Sequence, residues 1–143
     1  MTTNSDACPL CSRWDNDSDL RIAELEQSYL ILNRDQFFPG YCLLFAKQHV
    51  TELFHLDKIV RQGMIEEVSQ VAAVLNSLFK PDKINYELLG NMVPHIHWHL
   101  VPRFSTEILW PRPIWSEPHE ELYLTDAEYQ YRCNLIRKGM GIK

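Results

Sequence analysis

Histidines at 95, 97 and 99 stand at every second position of "NMVPHIHWHLVPRF", residues 91–104, with Ile96 and Trp98 between them. In an extended strand, residues two apart share a face. The three imidazoles are therefore expected along one side, with successive Cα atoms roughly 6.5 to 7 Å apart. That spacing lets them converge on one tetrahedral group or one metal ion. Packing does not favour such a stripe, because each buried ring must satisfy a donor and an acceptor or lose free energy. Two chemistries compete for it. Several imidazoles can hold a catalytic metal with one open position, as in hydrolytic zinc sites. Alternatively, one imidazole attacks an electrophile while its neighbours orient it and stabilise the developing charge.

A second candidate group is Cys8-Pro-Leu-Cys11. A redox C-x-x-C normally follows a strand in a βαβ unit, and only seven residues precede this one. The other reading is half of a tetrahedral zinc site, which needs two further ligands from elsewhere in the chain.

These residues must be positioned by strands around one strong helix. "YLILN" (29–33) and "YCLLFAK" (41–47) are short and apolar, and the Pro-Gly signal of "RDQFFPG" lies between them. Met64, Val68, Val71, Leu75 and Leu78 recur at steps of four, three, four and three, which predicts one helix from Asp57 as N-cap to Phe79, stopped by Pro81. "INYELL" (84–89) and "HIHWHLVPRF" (95–104) read as a second strand pair joined near Gly90 and Asn91. "LWPRPIWSEP" (109–118), with three prolines and two tryptophans, excludes a central strand or a helix. A short helix from Asp126 to about Lys138 follows. No internal repeat or second domain is visible, so the expectation is one α+β domain over residues 1–143.

Composition narrows the function. The chain has 143 residues, 45% hydrophobic and 23% charged, as soluble globular proteins do. The longest apolar run, "YCLLFA", is far short of the ~18 residues that span a bilayer. "MTTNSDACPLC" lacks the positive and apolar regions of a leader, so a cytoplasmic protein is expected, with no membrane partner. A net charge of −5 and no Lys/Arg cluster argue against binding duplex nucleic acid. Any anionic ligand must be met by local groups.

"HIHWHLV" fits the His-φ-His-φ-His-φ-φ signature of the histidine triad (HIT) family, φ being apolar. The following "PRF" and the upstream "LNRDQFFPGYCLL" are also similar to that family, so the resemblance runs from about Tyr29 to Phe104. It implies an antiparallel sheet of about five strands with one long and one or two shorter helices. It implies an enzyme acting at the α-phosphate of dinucleoside polyphosphates or nucleoside phosphoramidates, as a hydrolase or nucleotidyltransferase, with adenine nucleotides the expected ligands. By matching position, His97 is the nucleophile that forms a nucleotidyl-histidine, His99 helps hold the phosphate, and His95 supports the site from the other side. Asn33 falls at the ribose-binding position and Asn91 at a phosphate-contacting one. The segment "LGNMVP" is shorter than the Gly-rich loop of many members, and Asn85 is the candidate to replace a polar residue of that loop. A homodimer is implied, with the tail of about 105–143 as cap or dimer contact.

The resemblance also bears on the cysteines. In a subset of the family, and in the related galactose-1-phosphate uridylyltransferases, an N-terminal C-x-x-C joins a histidine after the second strand and the first triad histidine. The matching residues are Cys8, Cys11, His49 and His95, which implies a closed, structural zinc and no catalytic cofactor. As a ligand, His95 is not the acid. Two other function classes stay open: a metallohydrolase using the three strand histidines as ligands, and a nucleotide-binding protein with little turnover.

The remaining candidates draw plainer expectations. His55 and His119 have no evident partner and read as surface or hydrogen-bonded residues. Cys42 and Cys133 read as small buried hydrophobes, and Trp98, Trp110 and Trp115 as core or interface rather than base-stacking residues. Arg103 is either structural or an attractor for polyphosphate.

Overall fold

The computed structural model describes residues 7–142; residues 1–6, which include most of the segment read above for a leader, and residue 143 lie outside it. Five strands, β1 (Arg21–Glu24), β2 (Ser28–Leu32), β3 (Cys42–Ala46), β4 (Lys83–Glu87) and β5 (His97–Arg103), form one antiparallel sheet in the order β1-β2-β3-β5-β4. Among the described residues three α-helices accompany them: a single turn α1 (Arg13–Asn16), the long α2 (Lys58–Phe79) and α3 (Asp126–Gly139). This is the expected α+β architecture.

The sheet centre is β3, whose five residues are all buried, as expected for a strand of continuous apolar type covered on both faces. The β2–β3 connection turns at Pro39-Gly40. Gly40 has φ +88, and a Cβ there would come within 2.8 Å of the Phe79 ring at the end of α2, so the turn needs glycine for both conformation and space. Gln36 staples the turn: its amide donates to the carbonyls of Asn33 and Tyr41 and accepts from Gly40 N–H.

Helix α2 begins after Asp57, although that side chain makes no capping bond, and ends at Lys80 in the left-handed region before Pro81. Its buried face holds Met64, Val68, Val71 and Leu75, as the periodicity predicts, while Leu78 is only half-buried and Ala72 and Glu67 are added. Glu67 is buried on that face, where it accepts from Gln27 N–H (3.0 Å) and Ser28 Oγ (2.6 Å) and so ties the β1–β2 turn to the helix. A buried carboxylate tolerates this only because it is hydrogen-bonded.

One expectation needs correction. The strand read from 95 to 104 starts at His97, so His95 precedes it. The tail, read as a cap or dimer contact, is bound to the domain at several points. Arg103, 1% exposed, donates to Glu107, Asn85 Oδ1 (2.8 Å) and the Arg112 carbonyl (2.7 Å). Its guanidinium also lies over the Phe38 and Trp110 rings. Arg103 is thus a structural clamp whose donors are committed to the protein. Further on, Gln36 N–H donates to the Leu122 carbonyl, and a Thr125–Glu128 capping box starts α3.

Candidate functional site

Register builds the site. His97 pairs with Phe45 and His99 with Leu43 on one side of β5, while Glu87 of β4 stands directly opposite His99 on the other. Residues 97 and 99 share a face, and their ring centroids are 5.0 Å apart. The Nδ1–H of His97 donates to the His95 carbonyl at 2.6 Å. A carbonyl can only accept, so Nδ1 carries a proton, and in the neutral ring the lone pair is on Nε2.

His99 lies deeper, 8% exposed, with Nδ1 2.5 Å from the Tyr41 hydroxyl. Burial pushes the Tyr41 phenol far up, with Glu87 and Asp35 adding to the shift, so it stays protonated and donates. His99 is then the Nε2–H tautomer. Burial, followed by the neighbouring His97, drives its pKa down to about 4, so the ring is neutral near pH 7. The pair therefore offers the Nε2 lone pair of the neutral His97 tautomer and a neutral N–H donor on His99. Both rings line a cavity of about 210 Å³ with Leu89, Gly90, Asn91, Met92, Val93 and Trp115.

His95 departs from the expected stripe. Its ring turns away from the other two and joins Cys8, Cys11 and His49, whose ligand atoms all lie within 4.8 Å of one another. Its Nδ1 is 3.4 Å from Cys8 Sγ, 3.6 Å from Cys11 Sγ and 3.2 Å from His49 Nδ1, and His49 Nδ1 is 3.2 Å from Cys11 Sγ. Ligands about 2.0 to 2.3 Å from a tetrahedral ion stand at such separations. The His95 Nε2–H donates to the Ala46 carbonyl at 2.7 Å, which leaves the Nδ1 lone pair facing the thiols. Such an outer bond fixes the tautomer of a metal-ligating histidine. Burial, the largest cause, also holds His95 below histidine's usual range. These four residues could hold a metal ion.

The asparagines fall differently. Asn91 lines the cavity. Asn33 donates through Nδ2 to the Asp35 carbonyl, which leaves its Oδ1 as an acceptor. Asn85 is bound by Arg103, so its amide oxygen is already used in holding the tail.

Three contributors escaped the sequence reading. Tyr41 gave no signal beyond a strand aromatic. His119, read as a surface or hydrogen-bonded residue without a named partner, donates to Asp35 Oδ2 at 2.9 Å. Asp35 also accepts from Phe37 and Leu122 N–H; burial opposes its ionisation, but these donors outweigh it and its pKa is lowered. The third is Trp115, whose Nε1–H donates to Glu87 at 3.0 Å and whose ring meets His99 edge-on at 5.3 Å.

The model of the HIT domain matches residues 15–106. The chain belongs to the HIT family. Among curated HIT relatives, an uncharacterized HIT-like protein of Mycoplasma genitalium is 28% identical over 91 residues, 60% of this chain and 64% of that protein. The matched region thus spans less than two thirds of that relative. Among solved HIT structures, the histidine triad protein of Bradyrhizobium japonicum has a TM-score of 0.79 at 29% identity, over 90% of this chain and 95% of that one. A Zn-bound histidine triad family protein from Mycobacterium smegmatis has the same fold, with TM-score 0.69 at 23% identity over 96% of each chain.

Proposed function

We propose that this HIT protein is a nucleotide hydrolase or nucleotidyltransferase working at an α-phosphate, of a dinucleoside polyphosphate or a nucleoside phosphoramidate, with His97 as covalent nucleophile. The observation that carries the reading is the 2.6 Å bond from His97 Nδ1–H to the His95 carbonyl. It fixes the tautomer whose Nε2 lone pair lies beside an open cavity, which is what attack on phosphorus requires.

In the first step the Nε2 pair bonds to the α-phosphorus and the bond from phosphorus to the leaving group breaks. That group keeps the electron pair and takes a proton from solvent where it needs one. His99 Nε2–H holds a phosphoryl oxygen, with backbone N–H groups of 90–92 and the Asn91 side chain as further donors. His99 does not act as an acid, because its other nitrogen is tied to a phenol that stays protonated. In the second step a water oxygen attacks phosphorus, the P–Nε2 pair returns to His97, and the water proton goes to solvent. An acceptor hydroxyl or phosphate in place of water makes the reaction a transfer. Asn33 Oδ1 is assigned to a ribose hydroxyl, and Asn85 moves from the phosphate to the support of the tail.

Cys8, Cys11, His49 and His95 are assigned a structural zinc. When bound, it would cross-link the N-terminal segment to the end of β3 and the start of β5, and it would hold the residue whose carbonyl orients His97. The alternative of a catalytic metal on all three histidines loses support from the same geometry: His95 Nδ1 faces Cys8, and His99 Nδ1 faces Tyr41. The reading keeps one HIT-like domain, a homodimer, a cytoplasmic setting in which the thiols stay reduced, and the tail as a cap.

The decisive experiment is intact-protein mass spectrometry after acid-free quenching, with adenosine phosphoramidate or diadenosine tetraphosphate as substrate. An adduct of one nucleotidyl group is expected on the native chain and not on His97→Ala. Turnover without an adduct, abolished by chelator, would move the histidines to a metal. Tight nucleotide binding with turnover equal to that of His97→Ala would leave a binding protein.

A further inference from the structure

The tail crosses the site as a strap fixed at both ends. On one side Arg103 holds Glu107 and the Arg112 carbonyl. On the other, Asp35 holds His119 and the Leu122 N–H. Between these anchors Ile114 is buried at 3% exposure, and the next residue, Trp115, is 55% exposed yet hooked to Glu87 at 3.0 Å and set against His99. Trp115 lines the cavity that holds His97 and His99, and also an adjoining one lined by Asp35, Ile114, Ser116, Glu117, Pro118, His119 and Glu121.

The charges along this groove run one way. Neither lining includes a lysine or arginine; the two guanidiniums bordering the groove are both engaged, Arg103 by Glu107, Asn85 and the Arg112 carbonyl, and Arg112 by Glu117. Glu87 stands on the same face as His99 and directly opposite it, a pairing that puts Cβ atoms about 4.5 to 5.5 Å apart. Its neighbour across the mouth of the cavity is the Trp115 indole, a neutral donor. A phosphoryl group held by His97 and His99 therefore meets a carboxylate rather than a cation.

We propose that Glu87 and Trp115 are specificity-determining residues that select a nucleoside phosphoramidate over a nucleoside polyphosphate. The inference rests on the reading of His97 and His99 as the phosphoryl site and names the substrate class within it. A phosphoramidate carries one negative charge at phosphorus, and its leaving nitrogen becomes positive when it takes a proton from solvent. The carboxylate stabilises that positive charge as the P–N bond breaks and the amine departs with the bond pair. A polyphosphate brings several negative charges to the same carboxylate, with no lysine or arginine in either lining to offset them. Trp115 keeps Glu87 in place through its N–H and walls the site with its ring, so both residues act on which substrate is accepted.

The test compares adenosine phosphoramidate with diadenosine tetraphosphate on the native chain, Glu87→Gln and Trp115→Phe. The native chain is expected to favour the phosphoramidate in kcat/KM. Glu87→Gln should raise the ratio of polyphosphate to phosphoramidate kcat/KM about tenfold at low salt, with a smaller change at high salt, where charge effects are screened. Trp115→Phe, which keeps a ring but loses the N–H, should move the ratio the same way by less. A native preference for the polyphosphate, or a ratio unmoved in Glu87→Gln, overturns the proposal. Equilibrium binding separates this from the covalent reading. In a His97→Ala background, Glu87→Gln should tighten adenosine tetraphosphate more than AMP, whatever the turnover, and equal effects on both sink the charge filter.

Discussion

The Tyr41 hydroxyl donates to Nδ1 of His99 across 2.5 Å, linking the first residue after the Pro-Gly turn to the triad strand. This bond decides which His99 nitrogen carries the proton and so whether the ring can donate to a phosphoryl oxygen. Tyr41→Phe keeps the buried ring and removes only that donor, so the fold should persist while the tautomer is released. Loss of one such hydrogen bond, about 1 kcal/mol, corresponds to a fall of roughly fivefold in kcat. Steady-state kinetics on the variant would check it; an unchanged kcat would remove Tyr41 from the site.

The same histidine predicts a pH dependence of stability. Its folded pKa, about 4, lies below the ordinary 6.5, so the unfolded chain takes up this proton first as pH falls. The stabilisation is therefore complete above about pH 6.5 and is lost progressively toward pH 4, by about 3 kcal/mol in all. Urea unfolding at several pH values should show it, and His99→Gln should flatten that part of the curve. An equally steep curve in the variant would place the proton elsewhere.

Cys8, Cys11, His49 and His95 converge from an N-terminal loop, the end of β3 and the start of β5, so a metal here would tie three parts of the chain. Metal analysis of protein purified without chelator should give about one zinc per chain, as a closed four-ligand site binds one ion. Cys8→Ser should lose that zinc and lower Tm. Because His95 also offers the carbonyl that orients His97, the variant should lose adduct formation even where far-UV circular dichroism stays native. A zinc content unchanged by Cys8→Ser would defeat the assignment.

The long helix and four of the five strands were legible because each carries a strong local pattern: a heptad-like face in α2, and apolar runs beside Pro-Gly or Gly-Asn turns. Strand β1 was missed because Arg21–Glu24 is four residues at the sheet edge, has no Gly or Pro beside it, and pairs irregularly with β2. The triad spacing and C-x-x-C stand out as sequence, yet strand periodicity alone misplaces His95, whose ring is turned by a break just before β5. Tyr41, Glu87 and Trp115 act through contacts 12 to 58 residues away along the chain, Glu87 and Trp115 being 28 apart. No local pattern carries such pairings.

Arg103 offers the sharpest test of how the tail is held. Its guanidinium is 1% exposed and serves Glu107, Asn85 and the Arg112 carbonyl together. Arg103→Met fills much of the volume but leaves the largely buried Glu107 carboxylate without its partner. Breaking a buried pair from one side costs about 3 to 5 kcal/mol, so urea unfolding should shift by that amount. Arg103→Met with Glu107→Leu removes both charges and should recover part of the loss. The tail should loosen as well, and Trp115, drawn away from Glu87 and His99, should become easier to quench by acrylamide. A single variant as stable as the native chain, with Trp115 unchanged, would show that the tail is held by its apolar contacts alone.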